Sequence, residues 1–246
     1  MPGGSKRITV TGILFTLLVF IISFVRRNDT EDISTVSASS SHTVVPLQED
    51  ALADAAHVLA AAFVTEAFTT TAFGDSMSRF EDEYSRVVEL LLRAHFQAGQ
   101  PIYCATTDGG VTGVALISRP GVSWTPIRLA WLFTRQLPLL IRLFTRIDWT
   151  GVYHIIQTIR PPKQLPSAHY RLEAIGVAPA AQGQGVGRAL LGATHAFVAH
   201  DPGASGTYLL TGQESLQRLY ERFGYQNVET KESNGVVAYH MFRPNE

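Results

Sequence analysis

The sequence has 246 residues, and its 20 Lys or Arg and 21 Asp or Glu give a formal net charge of −1. Nucleic-acid-binding domains usually carry a basic excess on at least one face, so this balance argues against a nucleic-acid partner. The single cysteine, Cys104, excludes an intrachain disulfide framework and a cysteine-rich zinc site. The eight histidines lack the spacing of metal ligands, so no metal ion is expected.

Residues 1–27 predict an N-terminal membrane anchor. Residues 8–25 carry no charge, are rich in Leu, Ile, Phe and Val, and lie between basic pairs at 6–7 and 26–27. As a helix they would span about 27 Å, close to the hydrocarbon thickness of a bilayer. A signal peptide needs a cleavage site close to its apolar run, and the only candidate, residues 36–38, lies beyond several charges. The pattern favours a single-pass anchor over a cleaved signal or a buried or interfacial helix, and the balanced flanking charges do not select an orientation.

Residues 28–42 are rich in Ser and Thr and contain almost no large apolar side chains. Such a segment cannot bury enough surface to fold, which predicts a flexible tether. The remaining residues, 43–246, are predicted to form one domain, with an insertion at 120–165.

Within this domain the hydrophobic pattern alternates between strand and helix periods. In chain order the sequence predicts a strand at 43–47, helices at 51–63 and about 80–94, strands at 102–106 and 111–118, a strand at 170–177, a helix at 185–200, a strand at 207–211, a helix at 215–223, and strands at 226–232 and 236–242. Turn signals at 108–110 and 234–235 join two of the strand pairs as hairpins. This order predicts an α/β (α+β) fold with a mostly antiparallel sheet flanked by helices.

The insertion contains a second apolar segment, residues 125–149. Four arginines recur along it at helical spacing, and Pro138 should kink or split the helix. The arginines are Arg128, Arg135, Arg142 and Arg146. The segment is therefore an interfacial helix on acidic lipid, a lid over a hydrophobic acceptor, or a helix pair packed on the domain with a solvated arginine face.

A glycine-rich turn at residues 182–188 follows the predicted strand 170–177 and opens the next helix. Backbone amides and the helix dipole converge at such a turn and form a site for phosphate oxygens. The turn is not a P-loop, because Gly187 is followed by Arg188, and it lacks the sixth-position glycine of a dinucleotide fingerprint. What remains is Gln-x-x-Gly-x-Gly, formed by Gln182, Gly185 and Gly187.

This turn resembles the pyrophosphate loop of the GNAT N-acetyltransferase superfamily, and residues 209–213 with 219–225 resemble its second acetyl-CoA segment. The stretch 170–191, with 239–243, looks most like the puromycin-acetyltransferase-like branch. The resemblance covers residues 43–243. It implies a GNAT-type fold and transfer of an acetyl group from acetyl-CoA to the primary amine of a small molecule or a protein, by direct attack in a ternary complex.

The resemblance also implies the site residues. Loop amides hold the pyrophosphate, the end of the strand pairs with the pantetheine arm, and Tyr220 protonates the departing thiolate. The implied cofactor contacts are Ile175, Gly176, Val177, Gln182, Gly183, Gln184, Gly185, Val186, Gly187, Arg188 and Gln213. Gln213 stands where the family often has Asn, and Tyr225 where it has Phe.

A base must also remove a proton from the substrate ammonium. Regular strand alternation would place Arg171, Glu173, Ile175 and Val177 on one face. Glu173 is therefore the candidate base, with His169 in reserve, and the alternative for Glu173 is a structural carboxylate paired with Arg171. The alternative for the whole chain is a non-catalytic acyl-CoA-binding or partner-docking module on a membrane.

Overall fold

The residues described in this computed structural model are 42–74, 81–107, 110–121 and 137–245, with only the backbone described for 137–140. They contain a seven-stranded sheet. The strands are β1 (Thr43–Pro46), β2 (Ile102–Thr107), β3 (Gly110–Ser118), β4 (Tyr170–Val177), β5 (Gly206–Thr211), β6 (Gln226–Ser233) and β7 (Val236–Pro244). Their order in the sheet is β1-β2-β3-β4-β5-β7-β6. Only β4 and β5 pair in parallel, so the prediction of a mostly antiparallel sheet is confirmed.

Seven helices lie within the described residues. They are α1 (Leu52–Phe63), α2 (Ala67–Phe73), α3 (Glu81–Gln97), α4 (Leu137–Phe144), α5 (Trp149–Thr158), α6 (Val186–Ala199) and α7 (Glu214–Glu221), with short 3-10 turns at Glu49–Ala51 and Pro179–Ala181. The sequence predicted α1, α3, α6 and α7 to within a few residues. It missed α2, a short helix rich in β-branched Thr, and α5, whose N-cap residue is Asp148.

The described part of the insertion contains two helices, α4 and α5, and Pro138 lies in α4. The residues before α4 lie outside the described residues, so the kink or split at Pro138 stays a prediction. The break that separates α4 from α5 comes later, at residues 145–148. Residues 122–136, with Arg128 and Arg135, lie outside the described residues.

Strand β4 lies between helices on both sides of the sheet. A Cβ at Gly176 would lie 2.7 Å from Leu59 Cδ2 in α1, so α1 packs directly on the strand there. Val177 points the opposite way, towards Gly187 in α6, whose added Cβ would meet Val177 Cγ2 at 3.7 Å. Side chains of β4 are therefore buried along almost its whole length, and each buried Leu, Ile or Val contributes about 1.5–3 kcal/mol of folding free energy.

The hairpin between β6 and β7 turns at Asn234 and Gly235, as predicted. Their φ angles are 50° and 81°, and a two-residue hairpin with positive φ at both positions favours Asn-Gly. The other predicted turn, at 108–109, lies outside the described residues, although the flanking pair Thr107 and Gly110 is in register.

None of the helices in the described ranges is, by itself, both long and apolar enough to cross a membrane. The segments Glu49–Phe63 and Ala67–Phe73 meet that requirement only together, and they are bent by 82°. The predicted anchor at 8–25 lies outside the described residues, as does the tether apart from His42.

Candidate active site

Strands β4 and β5 pair only at their first residues. The ladder consists of Tyr170 with Thr207 and Arg171 with Tyr208, whereas β4 remains paired to β3 as far as Val177. From residue 172 onward, the edge of β4 on the side of β5 therefore forms no ladder with β5. An edge of this kind can pair with an extended ligand.

A β-bulge lies where the two strands separate. Ile117 pairs with Leu172 and the preceding Leu116 pairs with Ala174, so Glu173 is the extra residue on β4. A bulge bends its strand and increases the local twist, which accounts for the departure of β4 from β5 at this level.

The bulge also shows that the predicted side-chain alternation along β4 is wrong. Arg171 pairs with Ser118 and Ile175 with Ala115, and these partners are three residues apart on β3. Side chains alternate along a strand, so Arg171 and Ile175 lie on opposite faces. The extra residue at Glu173 is the physical cause. Glu173 stays with Arg171, because its Oε1 lies 3.5 Å from Arg171 Nε.

The surroundings of Glu173 suit either of its predicted roles. The residue is only 9% exposed, and the Arg171 guanidinium lies over the ring of Tyr208, 5.6 Å from its centroid. The predicted pairing with Arg171 is thus present. A carboxylate held at the point where β4 leaves β5 is also close to the edge that the resemblance assigns to the pantetheine arm.

The glycine loop connects the end of β4 to α6. Gly183 and Gly185 have φ angles of 77° and 87°, which L side chains rarely adopt. The side chains of two loop residues bind the chain itself: Gln182 Nε2 donates to Val177 O at 3.3 Å and Gln184 Nε2 donates to Ala180 O at 2.9 Å. These contacts brace the loop and leave anion binding to its backbone.

The start of α6 presents backbone amides that have no acceptor within the helix. The first helical hydrogen bond runs from Ala189 N to Gly185 O, at 3.0 Å. The amides of the residues before Ala189 have no acceptor within the helix, and the helix dipole adds positive potential at the same end. Phosphate oxygens are the ligands that such an end favours.

The second predicted segment follows β5. The backbone N of Gln213 donates to Thr211 Oγ1 at 3.0 Å, and Gln213 occupies the N-cap position of α7 without a capping bond from its side chain. Tyr220 lies in the last turn of α7 and packs edge-on against Tyr225, with ring centroids 5.6 Å apart. Burial raises the pKa of Tyr220 far above its usual value, so its hydroxyl stays protonated at neutral pH.

The corner between α1 and α2 contains a buried carboxylate that the sequence reasoning missed. Glu66 is fully buried, and its Oε2 accepts from Phe68 N at 2.8 Å and Thr69 N at 3.0 Å. Its Oε1 has no hydrogen-bond partner, and burial raises the pKa of Glu66 to about 7. A Cβ at Gly212, just after β5, would lie 3.1 Å from the Phe68 ring, so this corner covers the end of β5. Glutamate is a rare N-cap residue, which is why the pattern did not reveal it.

Glu66→Gln should flatten the pH dependence of stability below pH 7. The pKa of Glu66 is about 7 in the folded chain against 4.5 for a free side chain, so the folded state binds more protons between these values. The free energy of unfolding of the wild type therefore falls by on the order of 3 kcal/mol as pH rises through this window. Above the window it levels off. Urea unfolding of variant and wild type at several pH values measures the difference.

The matched control is Glu81→Gln, which removes an exposed carboxylate from α3 and should retain the wild-type slope. Equal slopes for wild type and Glu66→Gln would contradict the assignment of this titration to Glu66.

The insertion packs on the domain through one side and exposes apolar side chains on the other. Leu143, Val152 and Ile155 are buried. Four large side chains on the outer side are exposed: Ile141 (55%), Phe144 (36%), Trp149 (43%) and Tyr153 (58%). The described part of the insertion thus packs on the domain, and its outer side is apolar as well as basic.

The histidines, the acidic residues and the single cysteine are candidate metal ligands, and the cysteine is also a candidate nucleophile. Across the described ranges there is no group of three or more His, Cys, Asp or Glu that could hold a metal ion. Cys104 is buried in β2, and burial raises the pKa of its thiol. A thiol held in its protonated form is a poor nucleophile.

Comparison with known proteins agrees with this geometry. Residues 149–227 match the family model described as an acetyltransferase (GNAT) domain. No curated protein sequence matches the chain. Among solved structures, histone acetyltransferase HPA2 and related acetyltransferase from Corynebacterium glutamicum has a TM-score of 0.60 at 21% identity, over 84% of this chain and 98% of that chain. A putative acetyltransferase of the GNAT family from Desulfovibrio desulfuricans has a TM-score of 0.50 at 17% identity, over 83% and 99%.

At these identities the solved structures share the fold with this chain. The family model covers α5, β4, the glycine loop, α6, β5 and α7, which are the elements that build the site. The comparisons do not specify a branch of the family. Residues 149–227 therefore resemble a GNAT acetyltransferase domain, the kind of domain that uses acetyl-CoA as its acetyl donor, and the chain shares the fold of such proteins.

Proposed function

We propose that the chain transfers an acetyl group from acetyl-CoA to a primary amine by direct attack in a ternary complex. The observation that supports this proposal is the bulge at Glu173, where β4 separates from β5. The open edge of β4 then leads to a loop whose amides suit a pyrophosphate. The branch proposed is the puromycin-acetyltransferase-like one, which rests on residues 170–191 and 239–243.

Acetyl-CoA would lie along the unpaired edge of β4. Its pyrophosphate meets the amides at the start of α6, and its pantetheine arm pairs with residues 175–177. A backbone N–H at that edge polarises the thioester carbonyl. Gln213, half-buried at the N-cap of α7 just after β5, would contact the arm from the opposite side.

The chemistry requires two proton transfers. The amine nitrogen bonds to the acetyl carbon, the carbon–sulfur bond breaks, and the amine gives up its proton to Glu173, directly or through water. Tyr220 donates its hydroxyl proton to the departing thiolate. The acid and the base thus come from α7 and β4, the two sides of the opening.

The test is release of CoA thiol from acetyl-CoA by the full chain with a panel of small amines, polyamines and peptide amines. Turnover with any amine, matched by acetylated product, is the expected result. CoA binding without turnover across the panel would instead favour the non-catalytic module.

The domain organisation in this proposal is an anchor at 1–27, a tether at 28–42 and the acetyltransferase domain at 43–246. The anchor implies a single-pass membrane protein. The full chain is expected in the membrane fraction after alkaline extraction, and a chain with charged residues at positions 14, 17 and 20 should leave it. A wild-type chain that is extracted with the soluble proteins would contradict the anchor.

The apolar outer side of the insertion has two uses under this proposal, contact with acidic lipid or closure over a hydrophobic acceptor. Trp149→Ser with Tyr153→Ser separates them. Weaker binding to anionic vesicles at unchanged acceptor KM indicates lipid contact, and a raised acceptor KM at unchanged vesicle binding indicates a lid.

A further inference from the structure

His42 connects the start of the domain to the glycine loop. Its Nδ1 lies 3.0 Å from Thr107 Oγ1, at the end of β2, and its Nε2 lies 2.9 Å from the carbonyl oxygen of Gln184. The two partners are far apart in sequence, 65 and 142 residues from His42. The imidazole ring therefore bridges the end of a strand and the middle of the loop.

The partners define the roles of the two ring nitrogens. A carbonyl oxygen can only accept, so Nε2 must carry the hydrogen that it donates to Gln184 O. In the neutral ring Nδ1 then accepts from the Thr107 hydroxyl. Thr107 thus orients the ring, and the ring orients the Gln184 carbonyl.

Fixing this carbonyl also fixes a neighbouring amide. Gln184 C=O and Gly185 N–H belong to one planar peptide unit, and there is no cis peptide bond among the described residues. In a trans peptide the C=O and N–H bonds point in opposite directions. With its carbonyl held by His42, the unit directs the Gly185 N–H to the side away from His42.

The hydrogen bond from His42 matters because the peptide units on either side of Gly185 could otherwise rotate. Gly185 has a φ of 87°, and glycine has no Cβ to restrict it. The side chain of Gln184 is tied to Ala180 O, but this contact does not set the direction of the 184–185 peptide. The bond from His42 does.

We propose that His42 is a positioning residue for the CoA pyrophosphate: by holding Gln184 O, it presents the Gly185 amide to the anion together with the first amides of α6. This role rests on the proposed function, in which the loop holds that pyrophosphate. It also joins the last residue of the predicted tether to the cofactor site.

The test measures the Kd of CoA by calorimetry for the full chain and three variants. His42→Ala should raise the Kd about threefold to tenfold, the effect of one net hydrogen bond. A Gln amide can take the place of Nε2, so His42→Gln should retain most of the affinity. An Asn amide can take the place of Nδ1 only, so His42→Asn should behave like His42→Ala.

Two controls separate positioning from other effects. Thermal midpoints should be equal among the variants, because the contacts of His42 are exposed. The Kd of dephospho-CoA, which retains the pyrophosphate, should rise in His42→Ala by the same factor as the Kd of CoA.

Equal Kd values for wild type and His42→Ala would overturn the role of His42 alone. A loss of affinity for CoA but not for dephospho-CoA would also overturn it, since His42 would then act on the 3′-phosphate. A wild-type chain that does not bind CoA would overturn the proposed function along with it.

Discussion

Tyr220→Phe is expected to lower kcat about 100-fold or more, with little change in the KM for acetyl-CoA. Its hydroxyl acts on a thiolate that forms only as the carbon–sulfur bond breaks, so its loss affects the transition state and not ground-state binding. Burial raises the pKa of Tyr220, so the phenol stays protonated over the neutral range. The deficit should therefore be the same across that range, as steady-state rates at several pH values will show.

Tyr225→Phe is the matched control for this variant. Tyr225 is the neighbouring buried tyrosine, and its hydroxyl lies 3.0 Å from His195 Nε2. The change removes one hydroxyl from the same cluster without touching Tyr220. A Tyr220→Phe enzyme with full turnover and bound CoA would contradict the acid assignment, and equal losses in both variants would indicate a packing effect.

Glu173→Gln is expected to reduce kcat/KM for the amine by about 10²-fold or more and to change the shape of its pH–rate profile. The variant keeps the size of the side chain but cannot take the proton of the attacking ammonium. The loss should shrink as pH rises, because more of the amine is then already deprotonated. Rates with one amine over a range of pH values provide the measurement.

Arg171→Gln distinguishes this role from a structural one. If Glu173 serves only its contact with Arg171, removal of either partner should have the same effect on turnover and stability. If Glu173 is the base, Arg171→Gln should retain most of the turnover that Glu173→Gln loses. An unchanged pH–rate profile in Glu173→Gln would exclude the carboxylate as base.

Local patterns were sufficient for much of the fold. The strand Tyr170–Val177 has the predicted limits, because an apolar run there ends at a proline. The turn at Asn234 and Gly235 follows from conformational preference alone. The two cofactor segments were recognisable because glycine positions and a tyrosine recur at fixed spacing.

The features that shape the site depend on pairing between distant residues. The bulge at Glu173 arises from the register of β4 against β3, and nothing in the residues around it marks an extra position. Without the bulge, strand alternation assigned Glu173 to the face of Ile175, which is wrong. Glu66 and His42 were missed for the same reason, since burial of one and the loop contact of the other arise only in the folded chain.

Amide hydrogen exchange of the full chain, with and without acetyl-CoA, tests most directly whether the cofactor lies where β4 leaves β5. The account predicts slower exchange at two places when acetyl-CoA is bound, residues 172–177 of β4 and residues 185–188 at the start of α6. Unchanged exchange in both segments at saturating acetyl-CoA, or protection confined to other parts of the chain, would contradict it.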